Sequence, residues 1–188
     1  DPLFLRICLI QITREEKNVI ELLKAIKTNR KVIFITGGLA EGKTLAMSVL
    51  VNELQKELGA TSFSNYGLNN SLPLKLREHG SHFMDPDGYE IISIDEGHSV
   101  FDFSRKFMDH FLSEHHENSN LIFIFNSTLM ARIPKESRVK IDIHLKVKRN
   151  SEEGEIRVSG VNIPYERTLL IEESLGYYNA FQPAEYRL

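Results

Sequence analysis

The sequence predicts an α/β protein in three layers, with a mostly parallel central sheet, helices on both faces and a C-terminal antiparallel β-hairpin. Three observations predict it. Short apolar runs, rich in β-branched residues, at 31–36, 90–94 and 121–125 read as buried strands. Stretches at 13–26, 43–58 and 101–115 carry apolar residues in helical register and alternate with those strands. Two alternating runs, 141–147 and 155–161, flank a turn at 151–154 and read as a hairpin that extends or decorates one sheet edge.

Taken in order, residues 3–12 are apolar but interrupted by Arg6. A bilayer span needs about 20 apolar residues, so this run reads as a core strand. Residues 13–26 form an amphipathic helix that Thr13 can cap; Glu15 and Glu16 suit its positive end, and Val19, Leu22, Leu23 and Ile26 make one face. The strand KVIFIT leads into a glycine-bearing turn at 37–42 and then a helix over 43–58, with Leu45, Val49, Leu50 and Leu54 in register and Gly59 as its stop. Residues 61–66 are a short strand, 67–73 a polar loop, 74–79 a short helix and 85–88 a turn. The strand at 90–94 ends in Asp95. The helix at 101–115 is loosely amphipathic through Phe103, Phe107, His110 and Phe111. The tail from Thr168 mixes a short apolar run with Tyr177, Tyr178, Phe181 and Tyr186, and is expected to cover a sheet edge or dock on a neighbour.

With 188 residues, 41% of them hydrophobic, the chain is sized for one core, and one domain over 1–188 is expected. Within it, 1–30 is an N-terminal strand and helix, 31–140 a nucleotide-binding core, and 141–188 the hairpin and tail. The net charge of -3 gives no global basic field, so any nucleic-acid contact must come from a local patch, a pore in an assembly or another chain. The single cysteine, Cys8, has no disulfide partner within the chain and reads as a small buried hydrophobe, which fits a reducing cytoplasm. The chain begins with Asp1 rather than Met, which leaves open an upstream targeting or membrane segment.

The run Gly37-Gly38-Leu39-Ala40-Glu41-Gly42-Lys43-Thr44 fits GxxxxGK[ST] without mismatch. Glycines allow a tight turn in which backbone N–H groups converge on a phosphate, and the following helix adds its positive dipole end. Lys43 is expected to neutralise the β- and γ-phosphates, and the Thr44 hydroxyl to ligate Mg²⁺. The nucleotide-binding set is Gly37 through Leu45. A chance glycine-rich turn would not need a buried strand before it and a helix after it, and both are present in the pattern.

Ile94 leads into Asp95-Glu96, two carboxylates at the end of a buried strand, where open α/β folds hold ligands. Asp95 suits Mg²⁺ held through water. Glu96 suits orienting and activating an attacking water. The competing reading is a solvated acidic turn. Thr44 and Asp95 are roughly fifty residues apart, room for an inserted strand between the two motifs. The strand at 121–125 ends in Asn126, which resembles the catalytic, hydrolysis-sensing polar residue near the γ-phosphate in additional-strand, catalytic-Glu P-loop ATPases and is otherwise read as the cap of a turn.

The order GGLAEGKT, SNYGL, IDEGH, a helix with Ser104-Arg105 and a strand with a polar tip resembles the FtsK/HerA-type branch of P-loop ATPases, the additional-strand, catalytic-Glu branch. Within it the pattern is similar to Zot-like assembly ATPases of filamentous phages and to viral DNA-packaging ATPases. The resemblance covers about residues 31–147. It implies the P-loop NTPase fold, ATP with Mg²⁺, a homo-oligomeric ring, double-stranded DNA as partner, and a capsid or membrane complex alongside, in a host cytoplasm or virion. It further implies an arginine from a neighbouring subunit, for which Arg105, Arg132 and Arg138 are candidates, each also readable as an ordinary surface arginine. Two departures stand out: family members often carry Gln where this chain has Asn126, and often have paired basic residues where it has Arg105 and Lys106.

The task expected is DNA translocation in genome packaging; virion assembly or export at a membrane is the alternative. A small-molecule kinase is disfavoured by Glu96 beside Asp95, and a nucleotide switch without turnover is the remaining rival. No NKxD-like motif reads guanine, so ATP is expected over GTP. His110, His115 and His116 cluster in sequence, and His79 and His82 flank a turn, but neither group has HExxH spacing or a cysteine partner. The acidic tip of Glu152, Glu153 and Glu155 reads as solvated.

Overall fold

Runs such as VIFIT and LIFIF have no polar face, so as strands they need cover on both sides, and the chain supplies it with helices. The computed structural model describes residues 14–74, 88–103, 105–114 and 120–177. In chain order the elements are α1 (Arg14–Lys27), β1 (Val32–Thr36), α2 (Lys43–Leu58), β2 (Thr61–Ser64), β3 (Leu72–Pro73), β4 (Glu90–Ile94), α3 (Gly97–Phe103), α4 (Arg105–Glu114), β5 (Leu121–Ser127), a 3₁₀ turn (Met130–Arg132), α5 (Lys135–Arg138), β6 (Ile143–Asn150), β7 (Glu155–Gly160), β8 (Glu166–Leu170), α6 (Ile171–Ser174) and a second 3₁₀ turn (Leu175–Tyr177).

The strands form one sheet in the order β3-β2-β4-β5-β1-β6-β7-β8. All pairs from β3 to β6 are parallel; β6–β7 and β7–β8 are antiparallel. Alternation along each strand splits the core in two. Ile33, Ile35, Ile91, Ile122, Ile124, Ile143 and Leu145 face α1 and α2, where Leu22, Ile26, Val49, Leu50 and Leu54 meet them. Val32, Phe34, Ile92, Ile94, Phe123 and Phe125 face α3 and α4, against Val100, Met108, Phe111 and Leu112. The second face is aromatic, with ring centroids 4.8 Å apart for Phe34–Phe125 and 5.2 Å for Phe123–Phe125. Each such side chain contributes about 1.5–3 kcal/mol by leaving water, so the parallel strands are rigid supports for whatever stands at their ends.

The edge beyond β6 is fastened to the first face. Arg167 on β8 forms an ion pair with Glu53 on α2. Asn18 on α1 donates to the Glu166 carbonyl and accepts from its N–H. Gly59 ends α2 with φ 64, and its N–H bonds to the Gln55 carbonyl.

The inserted strand is present: β2 lies between the two motifs in the chain, and in the sheet it stands outboard of β4, while β5, which follows both motifs, separates β4 from β1. The hairpin extends the sheet as expected: β6 pairs in parallel with β1, and β7 and β8 lie outside it. Two expectations change. The polar loop at 67–73 contributes the two-residue β3. The helix expected at 101–115 begins at Gly97 as α3, with α4 following from Arg105. The strand at 3–12 with Cys8, Thr13, most of the helix at 74–79, Asp85 to Asp87, Ser104, His79, His82, His115, His116 and the aromatics Tyr178, Phe181 and Tyr186 lie outside the described residues. No helix among the described residues is long and apolar enough to cross a membrane.

Candidate nucleotide site

The chain leaves β1 at Thr36 and must turn back over the sheet to start α2. Ala40 (φ 58) and Gly42 (φ 88) make that turn in the left-handed region. Two glycines are required by contact. A Cβ on Gly42 would meet Ile156 Cδ1 at 2.3 Å, and one on Gly37 would meet the Val147 carbonyl oxygen at 2.7 Å. Gly42 is the N-cap of α2 and offers no capping side chain, so the first-turn N–H groups of α2 are open to an anion.

Lys43 Nζ donates to the Gly38 carbonyl at 2.7 Å, folded back along the loop. Burial pushes its pKa below the usual lysine value, opposed by the charges of Asp95, Glu41 and Glu96. Leu39, Ala40, Gly42, Lys43, Thr44 and Leu45 line a cleft of about 450 Å³. Gly37 and Gly38 shape the loop beneath it. Glu41 accepts from the Arg149 N–H, so its side chain ties the loop to β6 rather than facing the cleft. Leu45 is buried in the core, and what it can offer a phosphate is its backbone N–H.

The two motifs converge at one carboxylate. Asp95 Oδ1 accepts from Thr44 Oγ1 at 2.9 Å and from Asn126 Nδ2 at 2.5 Å. Asn126 Oδ1 in turn accepts from the Glu96 N–H at 3.0 Å. Asn126 is 1% exposed and part of β5. It therefore joins both acidic residues and caps no turn. Glu96 is exposed, with φ 52, a left-handed conformation costing about 1–3 kcal/mol for a residue with a side chain. Strain of that kind persists where the surroundings over-determine it. The next residue, Gly97, stands so close to β5 that a Cβ would meet Phe125 at 2.9 Å.

Thr44 and Asp95 supply a hydroxyl and a carboxylate oxygen side by side, hard oxygen donors of the type Mg²⁺ takes when phosphate and water complete its shell. The residues fit the ion. Among the described residues no cluster of three or more His, Cys, Asp or Glu side chains could hold a metal.

Several residues near this centre carry no role in the sequence reading. Asn65 bonds the Asp95 backbone in both directions, accepting from its N–H at 2.7 Å and donating to its carbonyl at 3.1 Å. It belongs to the SNYGL run, whose signal was a buried amide directly after a strand. Replacing Asn65 with Ala is expected to take this partner from two part-buried backbone groups, destabilise the protein by about 1–3 kcal/mol and displace Asp95. Thermal denaturation and Mg²⁺ titration of nucleotide binding check it; unchanged Mg²⁺ affinity would overturn it. His98 and Thr128 also line the cleft. Ser127 Oγ lies 3.3 Å from His98 Nδ1, and burial together with Arg132 lowers the imidazole pKa. The Thr128 hydroxyl is buried without a hydrogen-bond partner among the described residues. Arg149, Ile156, Ile171 and Leu175 complete the wall from beyond residue 140, and no local motif marks them.

The three arginine candidates differ. Arg105 is ion-paired with Asp109 and Glu136. Arg138 donates to the Ile133 and Ala131 carbonyls and holds the turn after β5 together. Arg132 is exposed, its guanidinium has no hydrogen bond or ion pair among the described residues, and it lies near enough to the cleft for its charge to lower the His98 pKa.

No family model and no curated protein matches the chain. Solved structures do match in fold. The N-terminal domain of zonular occludens toxin from Neisseria meningitidis is 14% identical, with 79% of this chain and 98% of that chain covered and a TM-score of 0.55. ATPases 2 and 3 of EssC from Geobacillus thermodenitrificans are 12% identical, with 78% of this chain and 42% of that chain covered and a TM-score of 0.50. The chain shares the fold of these structures.

Proposed function

We propose that this chain, built on the P-loop ATPase fold, hydrolyses ATP with Mg²⁺ and uses the turnover to move DNA. The observation that carries the hydrolytic part is Asp95 Oδ1, which accepts from Thr44 on one side and Asn126 on the other, while Asn126 also holds the Glu96 backbone. Lys43 and the first-turn N–H groups of α2 bind the β- and γ-phosphates. Thr44 and Asp95 hold Mg²⁺, which when bound neutralises charge on the phosphates. Glu96 orients a water and accepts its proton as the water oxygen bonds to the γ-phosphorus; the bond to the β-phosphate oxygen breaks and ADP leaves. Asn126 is the positioning link: any shift of the Glu96 backbone pulls on the carboxylate beside Thr44.

The ring and the DNA are supported by the motif order of the FtsK/HerA-type branch and by one surface feature. Lys146, Lys148 and Arg157 are exposed on the face of β6–β7 turned away from α1 and α2, and Lys148 and Arg157 are direct cross-strand partners. Like charges so placed repel, which an acidic polymer would relieve. In the ring, Arg132 is the arginine left to act on a neighbour's nucleotide. The task is genome packaging beside a capsid; virion export at a membrane is the alternative use of the same site, and the setting is a host cytoplasm or a virion.

Double-stranded DNA is expected to raise the ATPase rate of the assembled protein. Replacing Lys146, Lys148 and Arg157 with Gln should remove that stimulation, steepest at low salt, and leave the DNA-independent rate unchanged. A protein that stays monomeric, with a rate indifferent to DNA, refutes the motor and leaves the hydrolase.

A further inference from the structure

The sheet order divides the cleft into two ends. β5 and β4, which carry Asn126, Asp95 and Glu96, lie on one side of β1; β6 and β7 lie on the other. A triphosphate seated on the loop above β1, with its γ end toward Glu96, must send its sugar and base toward β6 and β7. That end of the cleft is apolar. Ile156 from β7 packs on Gly42, and Ile171 and Leu175 stand beside it.

This wall is held in place from both ends. The Ile171 N–H bonds to the Gly154 carbonyl at 3.0 Å, which pins the start of α6 to the hairpin turn. Asn69 bonds the Tyr177 carbonyl through its N–H at 2.9 Å and the Gly176 carbonyl through Nδ2 at 2.5 Å. Between these anchors Leu175 is 51% exposed. A leucine fixed beside a phosphate loop yet half in water has apolar surface for a flat ring to cover. Among the described lining residues on this side, Arg149 is the one polar side chain, and none is an amide or carboxylate able to read a base edge.

We infer that Ile171 and Leu175, backed by the buried Ile156, form the seat of the nucleobase, so that the segment after β8 is a working part of the nucleotide site and holds the base by apolar contact rather than by edge recognition. The inference rests on the nucleotide-binding reading of the loop. It also places base affinity in a region that carries no motif.

Calorimetric titration with Mg·ATP and with Mg·tripolyphosphate, which lacks sugar and base, separates the two. Leu175→Ser is expected to weaken ATP binding about five-fold, the loss expected for part of a leucine contact, and to leave tripolyphosphate binding unchanged. Ile171→Ser should do the same, and Lys43→Ala should weaken both ligands. Equal weakening of both ligands by Leu175→Ser, or no effect of either wall variant on ATP, overturns the base seat while the phosphate site stands. Failure of the unaltered protein to bind either ligand would instead refute the nucleotide reading itself.

Discussion

Glu96→Gln is expected to lower turnover by about three orders of magnitude while ATP still binds, because removing a positioned general base typically costs 10²–10⁴-fold. The substitution keeps the shape of the side chain and removes its charge. The Glu96 backbone is held by Asn126 Oδ1 through its own N–H, a bond the change does not touch. The side chain is exposed, so folding should be indifferent to it. Loss of one negative charge beside the γ-phosphate is expected to leave affinity equal or improved. Phosphate-release kinetics give the rate, and equilibrium titration gives the affinity. A rate within a few-fold of the unaltered protein would remove Glu96 from the chemistry. Loss of binding together with rate would make it a structural residue of the turn.

Gly42→Ala is expected to destabilise the protein by about 2–5 kcal/mol, the sum of a left-handed alanine and an overpacked contact. It should also abolish nucleotide binding. The added Cβ would lie 2.3 Å from Ile156 Cδ1 and 3.0 Å from Ile156 Cγ1. Ile156 is 1% exposed and β-branched, so it has little freedom to move aside. The loop must give way instead, and the N–H groups at the start of α2 move with it. Adding Ile156→Ala should relieve the contact but not the φ of 88. The double variant is therefore expected to be more stable than the sum of the single losses predicts, a coupling that thermal denaturation of the four proteins measures. Strict additivity would show that the hairpin does not press on the phosphate loop.

Several elements were legible without coordinates for local reasons. KVIFIT and EIISI read as strands because only a doubly covered strand tolerates so continuous an apolar run. The bounds of α2 were written in Lys43 and Gly59, a helix start after a glycine turn and a glycine stop. Asn126 stood at a strand tip, but its two readings could not be told apart locally. Its carboxylate partner and the Glu96 N–H lie about thirty residues away in the chain. Asn65 was noticed only as part of SNYGL, since the backbone it clamps belongs to another strand. β8 was missed because ERTLL has no clean alternation; its Arg167 points toward Glu53 on α2 rather than toward water.

The sequence by itself determined the glycine-bearing loop and the acidic pair, because each is a short, contiguous run of particular residue types at the end of a buried strand. Tertiary structure alone decided which strand separates β1 from β4, which of the three arginines has an unpaired guanidinium among the described residues, and that Ile156, Ile171 and Leu175 reach the cleft. Those facts depend on strand order and register. They arise when distant segments compete to bury the same apolar faces, and no local periodicity records the outcome.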